Sequence, residues 1–157
     1  MAIEPFETAY AAGFPTVDQL SVFMDNRVGQ LLRLTKLLEK TDIRILALSV
    51  VNFMDCAIVR MIVDDPDAAA ERLQDGGFAL SQNEIIVVQL PSGKRALLQT
   101  SATLLRAEVN VAYTYPLLSR PGGRPAMAVQ TDSLEMAARV LHEEGFTVLD
   151  QSDLGSK

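Results

Sequence analysis

The stretch Phe23–Leu34, FMDNRVGQLLRL, decides how this chain folds. A strand-like run stops at a short polar loop carrying one glycine, and an apolar helical pattern begins at once. Upstream, QLSVFM alternates with period two and sets Leu20, Val22 and Met24 on one face. Downstream, LLRLTKLLEK carries apolar residues at 31, 32, 34, 37 and 38, a stripe at helical spacing. IRILALSVV and AIVRMIV follow, rich in β-branched residues and separated by a short loop, so they predict a hairpin. DDPDAAAERL then starts a helix: Asp65 suits the capping position and Pro66 the first helical one. Gly76-Gly77 ends it, because glycine takes the left-handed conformation without a Cβ penalty. The unit therefore reads strand, helix, strand, strand, helix, strand.

The same unit occurs twice. A shift of 66 residues superposes Val22 on Val88, Leu31 and Leu32 on Leu97 and Leu98, and Leu38 on Leu104. It also places Ile43 and Ile45 on Val109 and Val111. A shift of 68 superposes Asp64 on Asp132, Leu73 on Leu141, and Gly77-Phe78 on Gly145-Phe146. The offset changes where NFMDC gives way to the longer LSRPGGR, in a hairpin loop where added length does least harm. Asp132 and Glu135 have capping-box spacing in the second unit. ALSQNEIIVVQL holds the last strand of one unit and the first of the next, leaving almost no linker. The expected fold class is α+β: two ferredoxin-like βαββαβ units, their antiparallel sheets joined side by side with helices on one face. The expected boundaries are an extension over 1–16, units over 17–83 and 84–150, and a tail over 151–157. Ile58 and Ile62 alternate with Val59, Met61 and Val63, so the sheet's other face needs some cover too.

Composition narrows the function. The chain has 157 residues, 48% of them hydrophobic, enough for a real core. Fourteen basic against twenty acidic residues give a net charge of −6, which lacks the positive footprint a general nucleic-acid binder needs. The single cysteine, Cys56, excludes an internal disulfide and a cysteine-rich metal site. No basic start followed by a long apolar run opens the chain, and no apolar segment approaches the ~18 residues of a membrane span. A cytoplasmic protein that binds neither nucleic acid nor membrane is expected.

Enzyme chemistry finds no foothold. His142, the one histidine, sits beside Glu143 and Glu144 on a predicted helix, where a surface role is simpler than catalysis. Cys56 has no basic cluster to lower its pKa. DDPD caps a helix more economically than it binds calcium, which needs six or more oxygens. SRPGGR, Ser119–Arg124, could meet an anion with its two arginines, or could be only a flexible turn. Phe53 and Met54 at the hairpin tip are either contact or loop residues. No catalytic residue, cofactor or metal is implied.

QLSVFMDNRVGQLLRLTKLLEKTDIRILALSVV followed by VRMIVDDPDAA resembles the ACT domain, a small amino-acid-sensing regulatory module. Its Asn-Arg-Pro-Gly-like loop corresponds to Asn26-Arg27-Val28-Gly29, with valine in place of proline. The likeness covers about residues 17 to 150, in two successive units with no enzyme domain attached. It implies a free amino acid as ligand and a homodimer or higher oligomer, acting as a regulatory sensor. The alternative is an assembly module, partnering an enzyme or itself, that has lost ligand binding. The implied ligand contacts are Met24, Asp25, Asn26, Arg27, Val28, Gly29, Gln30 and Leu31. In this family a polar residue opening the other unit's second strand joins the loop. That residue is Asn110 of EVNV, whereas the first unit opens its strand with Arg44. The second unit's own loop, PSGKRA, has Ser92 and Arg95 in place of Asn26 and Gly29, so one shared site per chain is expected. The physics is compatible. A helix N-terminus favours a carboxylate, glycine permits close approach, Asn26 offers donor and acceptor, and Asp25 could take an ammonium. Equally, Asn26 could merely cap the helix while Gly29 merely permits the turn.

Overall fold

The computed structural model describes residues 13–155; the rest of the expected extension, 1–12, and the last two residues of the expected tail lie outside it. Seven strands and five α-helices occur among the described residues. They fall into two compact units, one over Asp18–Glu84 and the other made of Ile85 onward together with the described residues up to Val17.

In the first unit β1 (Val17–Asp25) leads into α1 (Gln30–Glu39), then the hairpin β2 (Ile45–Phe53) and β3 (Cys56–Val63), then α2 (Pro66–Asp75) and β4 (Ala79–Gln89). The strand order is β2-β3-β1-β4, the ferredoxin-like arrangement. β1 and β3 run antiparallel with Leu20 opposite Met61 and Val22 opposite Val59. Those four side chains, with Val63, meet Leu34 and Leu38 of α1 and Ala69 and Leu73 of α2 in one core. Each large side chain so enclosed contributes roughly 1.5–3 kcal/mol. Ile62 is buried as well, although its alternation takes it away from the helices.

The second unit uses the far half of β4 as its first strand. No glycine or proline interrupts Ala79–Gln89, so the two strands expected from ALSQNEIIVVQL form one unbroken element. α3 (Ala96–Arg106), β5 (Val111–Pro116), β6 (Ala126–Thr131), α4 (Leu134–Glu143) and β7 (Val148–Leu149) complete it. Its strand order, β5-β6-β4-β7, repeats that of the first unit. Ile86, Val88 and Val129 pack with Leu104, Ala137, Ala138 and Leu141, and Phe14 packs against the same core. A short α5 (Gln151–Leu154) follows, anchored by buried Leu154.

The repeat holds at the level of single hydrogen bonds. The backbone of Arg44 donates to Asp64 Oδ1 at 2.8 Å and accepts from Asp64 N at 3.2 Å. Asn110 and Asp132 make the same pair at 3.1 and 3.2 Å. α2 is capped by Asp65, which accepts from Ala68 N, and α4 by Ser133, which accepts from Met136 N. Asp132, expected as the cap, is thus one residue early, because its carboxylate holds the β5 entry instead. The stripe on α1 is also narrower than expected: Leu34 and Leu38 are buried, while Leu31 and Leu32 are 39% and 58% exposed. Among the described residues no helix is long and apolar enough to cross a membrane.

Candidate functional site

The loop that opens the sequence reading turns from β1 into α1 in four residues. Arg27 N donates to Asp25 O at 2.8 Å, and the Arg27 guanidinium pairs with the Asp25 carboxylate at 2.6 Å in solvent. Asp25 is therefore partnered, in an exposed ion pair that a ligand's ammonium could exchange into. Asn26 does not cap α1. Its backbone N–H donates to Asp55 O at 3.0 Å and its Nδ2 to Met54 O at 3.2 Å, tying the loop to the β2–β3 hairpin tip. The capping position falls to Gly29, at φ 88°, and no side chain caps the helix. Only glycine adopts that conformation cheaply. Val28, standing where the family has proline, is fully exposed.

Beside this loop lies a recess of about 410 Å³ at the end of β1, bounded by Phe23, Asp25, Gln30, Arg33, Cys56 and Phe78. Of the expected ligand residues, Met24, Asp25 and Gln30 line it; Asn26, Arg27, Val28 and Leu31 do not, and Gly29 borders a shallower hollow along α1. Gln30 Oε1 is buried without a hydrogen-bond partner. Arg33 stacks over the Phe78 ring, its guanidinium carbon 4.7 Å from the centroid, and donates to Gly76 O. Asn110 stands in the other unit, before β5; only its backbone bonds to Asp132, and its side chain is exposed.

The second unit has its own recess, of about 560 Å³, that the sequence did not disclose. It is the same place in the fold. Phe23, Asp25 and Arg33 correspond at the 66-residue shift to Gln89, Pro91 and Gln99, which line it. Cys56, Gly77 and Phe78 correspond at the 68-residue shift to Arg124, Gly145 and Phe146, which line it too. Its charged groups are Arg106, Arg124 and Glu144. Arg106 pairs with Glu144 at 3.3 Å and donates to Thr103 Oγ1 at 3.3 Å. Gln89 Nε2 donates to Pro121 O at 2.8 Å, steadying the turn that carries Arg124. The Gly77-Phe78 and Gly145-Phe146 match was the one sequence signal that pointed toward both recesses.

Two successive ferredoxin-like units, each with a strand-to-helix loop beside a recess, have the architecture of a small-domain pair. The family model of the ACT domain pair matches residues 15–156, and the chain belongs to that family. No curated protein matches it in sequence. A crystal structure of a Bacteroides thetaiotaomicron protein is similar over 92% of this chain and 99% of its own, at 28% identity and TM-score 0.82. The ligand-free regulatory subunit of aspartate kinase from Thermus thermophilus shares the fold over 84% of this chain and 94% of its own, at 12% identity and TM-score 0.60. Aspartokinase α and β subunits share it at 12% identity, TM-score 0.51, over 82% and 95%.

Proposed function

We propose that this chain is a regulatory sensor of a free amino acid, contacted by the Met24–Leu31 loop. The observation that carries the reading is the open start of α1. α2 and α4 close their first turns with Asp65 and Ser133; α1 and α3 carry no side-chain cap, and of these two only α1 begins at a left-handed glycine, Gly29. Gln30 N donates to Arg27 O at 3.3 Å, while the positive dipole end and the next N–H groups of the first turn face a carboxylate. Asn26 lends its Nδ2 to the hairpin and keeps Oδ1 for an ammonium.

A thermal-shift screen against the twenty amino acids tests this. A ligand at 100 times its Kd adds about 2.7 kcal/mol, several degrees for a domain of this size. Asn26→Ala should weaken binding about ten-fold, the worth of a hydrogen bond to a charged group, and the unliganded Tm of the variant reads separately the loss of its tie to Met54. If no amino acid shifts the transition, the sensor reading fails. The assembly module then takes its place, favoured by Leu97, Leu98 and Leu105, which leave α3 57%, 58% and 76% exposed.

A further inference from the structure

The geometry points to a second ligand site, in the recess of the second unit, for an acidic amino acid: one ammonium and two carboxylates on a short apolar stem. This goes beyond the first-unit loop and shares with the sensor reading only the class of ligand. The SRPGGR segment, left open between anion binding and a flexible turn, delivers Arg124 to the place that Cys56 holds in the first unit. Among the described residues no carboxylate pairs with the Arg124 guanidinium. Arg106 does have a carboxylate, Glu144, at 3.3 Å, but both are about half exposed and the pair is open to exchange. The three groups sum to one positive charge, in a chain whose net charge is −6. A local positive recess on an acidic protein selects for an anion by position rather than by overall field.

The charge arithmetic names the ligand. One carboxylate meets Arg124 in a two-point contact suited to the guanidinium fork. A second takes Arg106, and the Glu144 released from it accepts the ligand's ammonium. Each charge then has a partner, and the ligand's net −1 cancels the recess's +1. Gln99 supplies a neutral hydrogen-bonding group, and Phe146 gives the stem an apolar wall. A recess of about 560 Å³ lies within the range of small-molecule sites.

Titration calorimetry on the full chain, with L-glutamate, L-aspartate, L-glutamine and glutarate, tests the assignment. One of the two acidic amino acids should bind. Glutamine, lacking the second carboxylate, and glutarate, lacking the ammonium, should each bind about ten-fold more weakly than the acidic amino acid that binds. Arg124→Gln and Arg106→Gln should each weaken the acidic ligand by about ten-fold or more. Arg139→Gln, which removes only the α4 pairing with Glu135, should leave it unchanged. No binding of either acidic amino acid at millimolar concentration overturns the site, as does glutarate binding as tightly as the acidic amino acid that binds. Affinity that falls in Asn26→Ala but survives Arg124→Gln also overturns it, while leaving the sensor reading intact. The reverse pattern supports the recess and counts against the first-unit loop.

Discussion

In the first unit the strand-to-helix turn places Gly29 at φ 88°, and α1 starts there. In the second unit the equivalent residue, Arg95, lies at φ −97°, and the left-handed residue of that loop is Gly93, at φ 100°. Both turns meet the same need with a glycine, two residues apart, and so present different side chains around the helix start. The interiors differ less. Leu38 and Leu104 fill equivalent positions in their cores, as do Leu73 and Leu141. The lesson is that packing holds the shared architecture while the rims are free to diverge, and the rims carry the chemistry.

Some interior positions do differ, and one of them offers the largest effect. Leu34 of α1 is fully buried; its equivalent in α3 is Thr100, also fully buried, with its hydroxyl donating to Ala96 O at 2.9 Å. Leu34→Ala should cost about 2–5 kcal/mol in chemical denaturation, since the removed methyls leave a cavity that closes only in part. Thr100→Ala should cost about 1 kcal/mol, as it removes fewer atoms and a hydroxyl satisfied within its own helix. Equal losses would break the comparison by showing that α3 depends on its inner face as heavily as α1.

A second test asks whether the units are alike where their hydrogen bonds say they are. Asp65→Ala and Ser133→Ala remove equivalent caps from α2 and α4 and should each cost about 1 kcal/mol. A loss confined to one variant would mean that one of the two helices holds its first turn by packing alone.

Much of the framework was legible beforehand. Alternation in QLSVFM, β-branched runs in the hairpin, and Asp65-Pro66 at a helix start each act through local backbone preference, which a sequence displays directly. Ser133 was legible in principle, because the shift that aligns Asp64 with Asp132 aligns Asp65 with Ser133. Leu31 and Leu32 were not, because helical spacing alone cannot tell a leucine facing the core from one beside it. The recesses were hidden for a different reason. Phe23, Arg33, Cys56 and Phe78 meet only after four elements have packed, so no window of sequence contains them. Asn26 misled in part: its spacing suggested a cap, and the hairpin carbonyl that it actually binds lies 28 residues away.

The smallest expected effect separates the units by pH. In the first, Asp18 on β1 has its pKa raised, chiefly by burial and further by the nearby charges of Asp67 and Glu84, against a hydrogen bond from Gln82 that lowers it. In the second, burial also works on Asp150, but hydrogen bonds from Ser152 and Asp153 outweigh it and the pKa is lowered. A raised carboxyl pKa means that the folded chain holds its proton to higher pH than the unfolded chain does. Asp18 therefore adds nothing below the unfolded value of 3.8, costs stability as pH climbs through its folded pKa, and keeps that cost at neutrality. Asp18→Asn keeps an acceptor for Gln82 and should raise Tm slightly at pH 7, with the gain vanishing toward pH ~3.5. Asp150 has the opposite sign. Its contribution is present above 3.8 and is lost as pH falls through its lowered folded value, so Asp150→Asn should lower Tm at pH 7 and converge on the parent in strong acid. Melting curves from pH 3 to 8 read both. Two variants that moved Tm in the same direction at pH 7 would show that the acidic patch around Asp18 is relaxed by solvent before it can weigh on the fold.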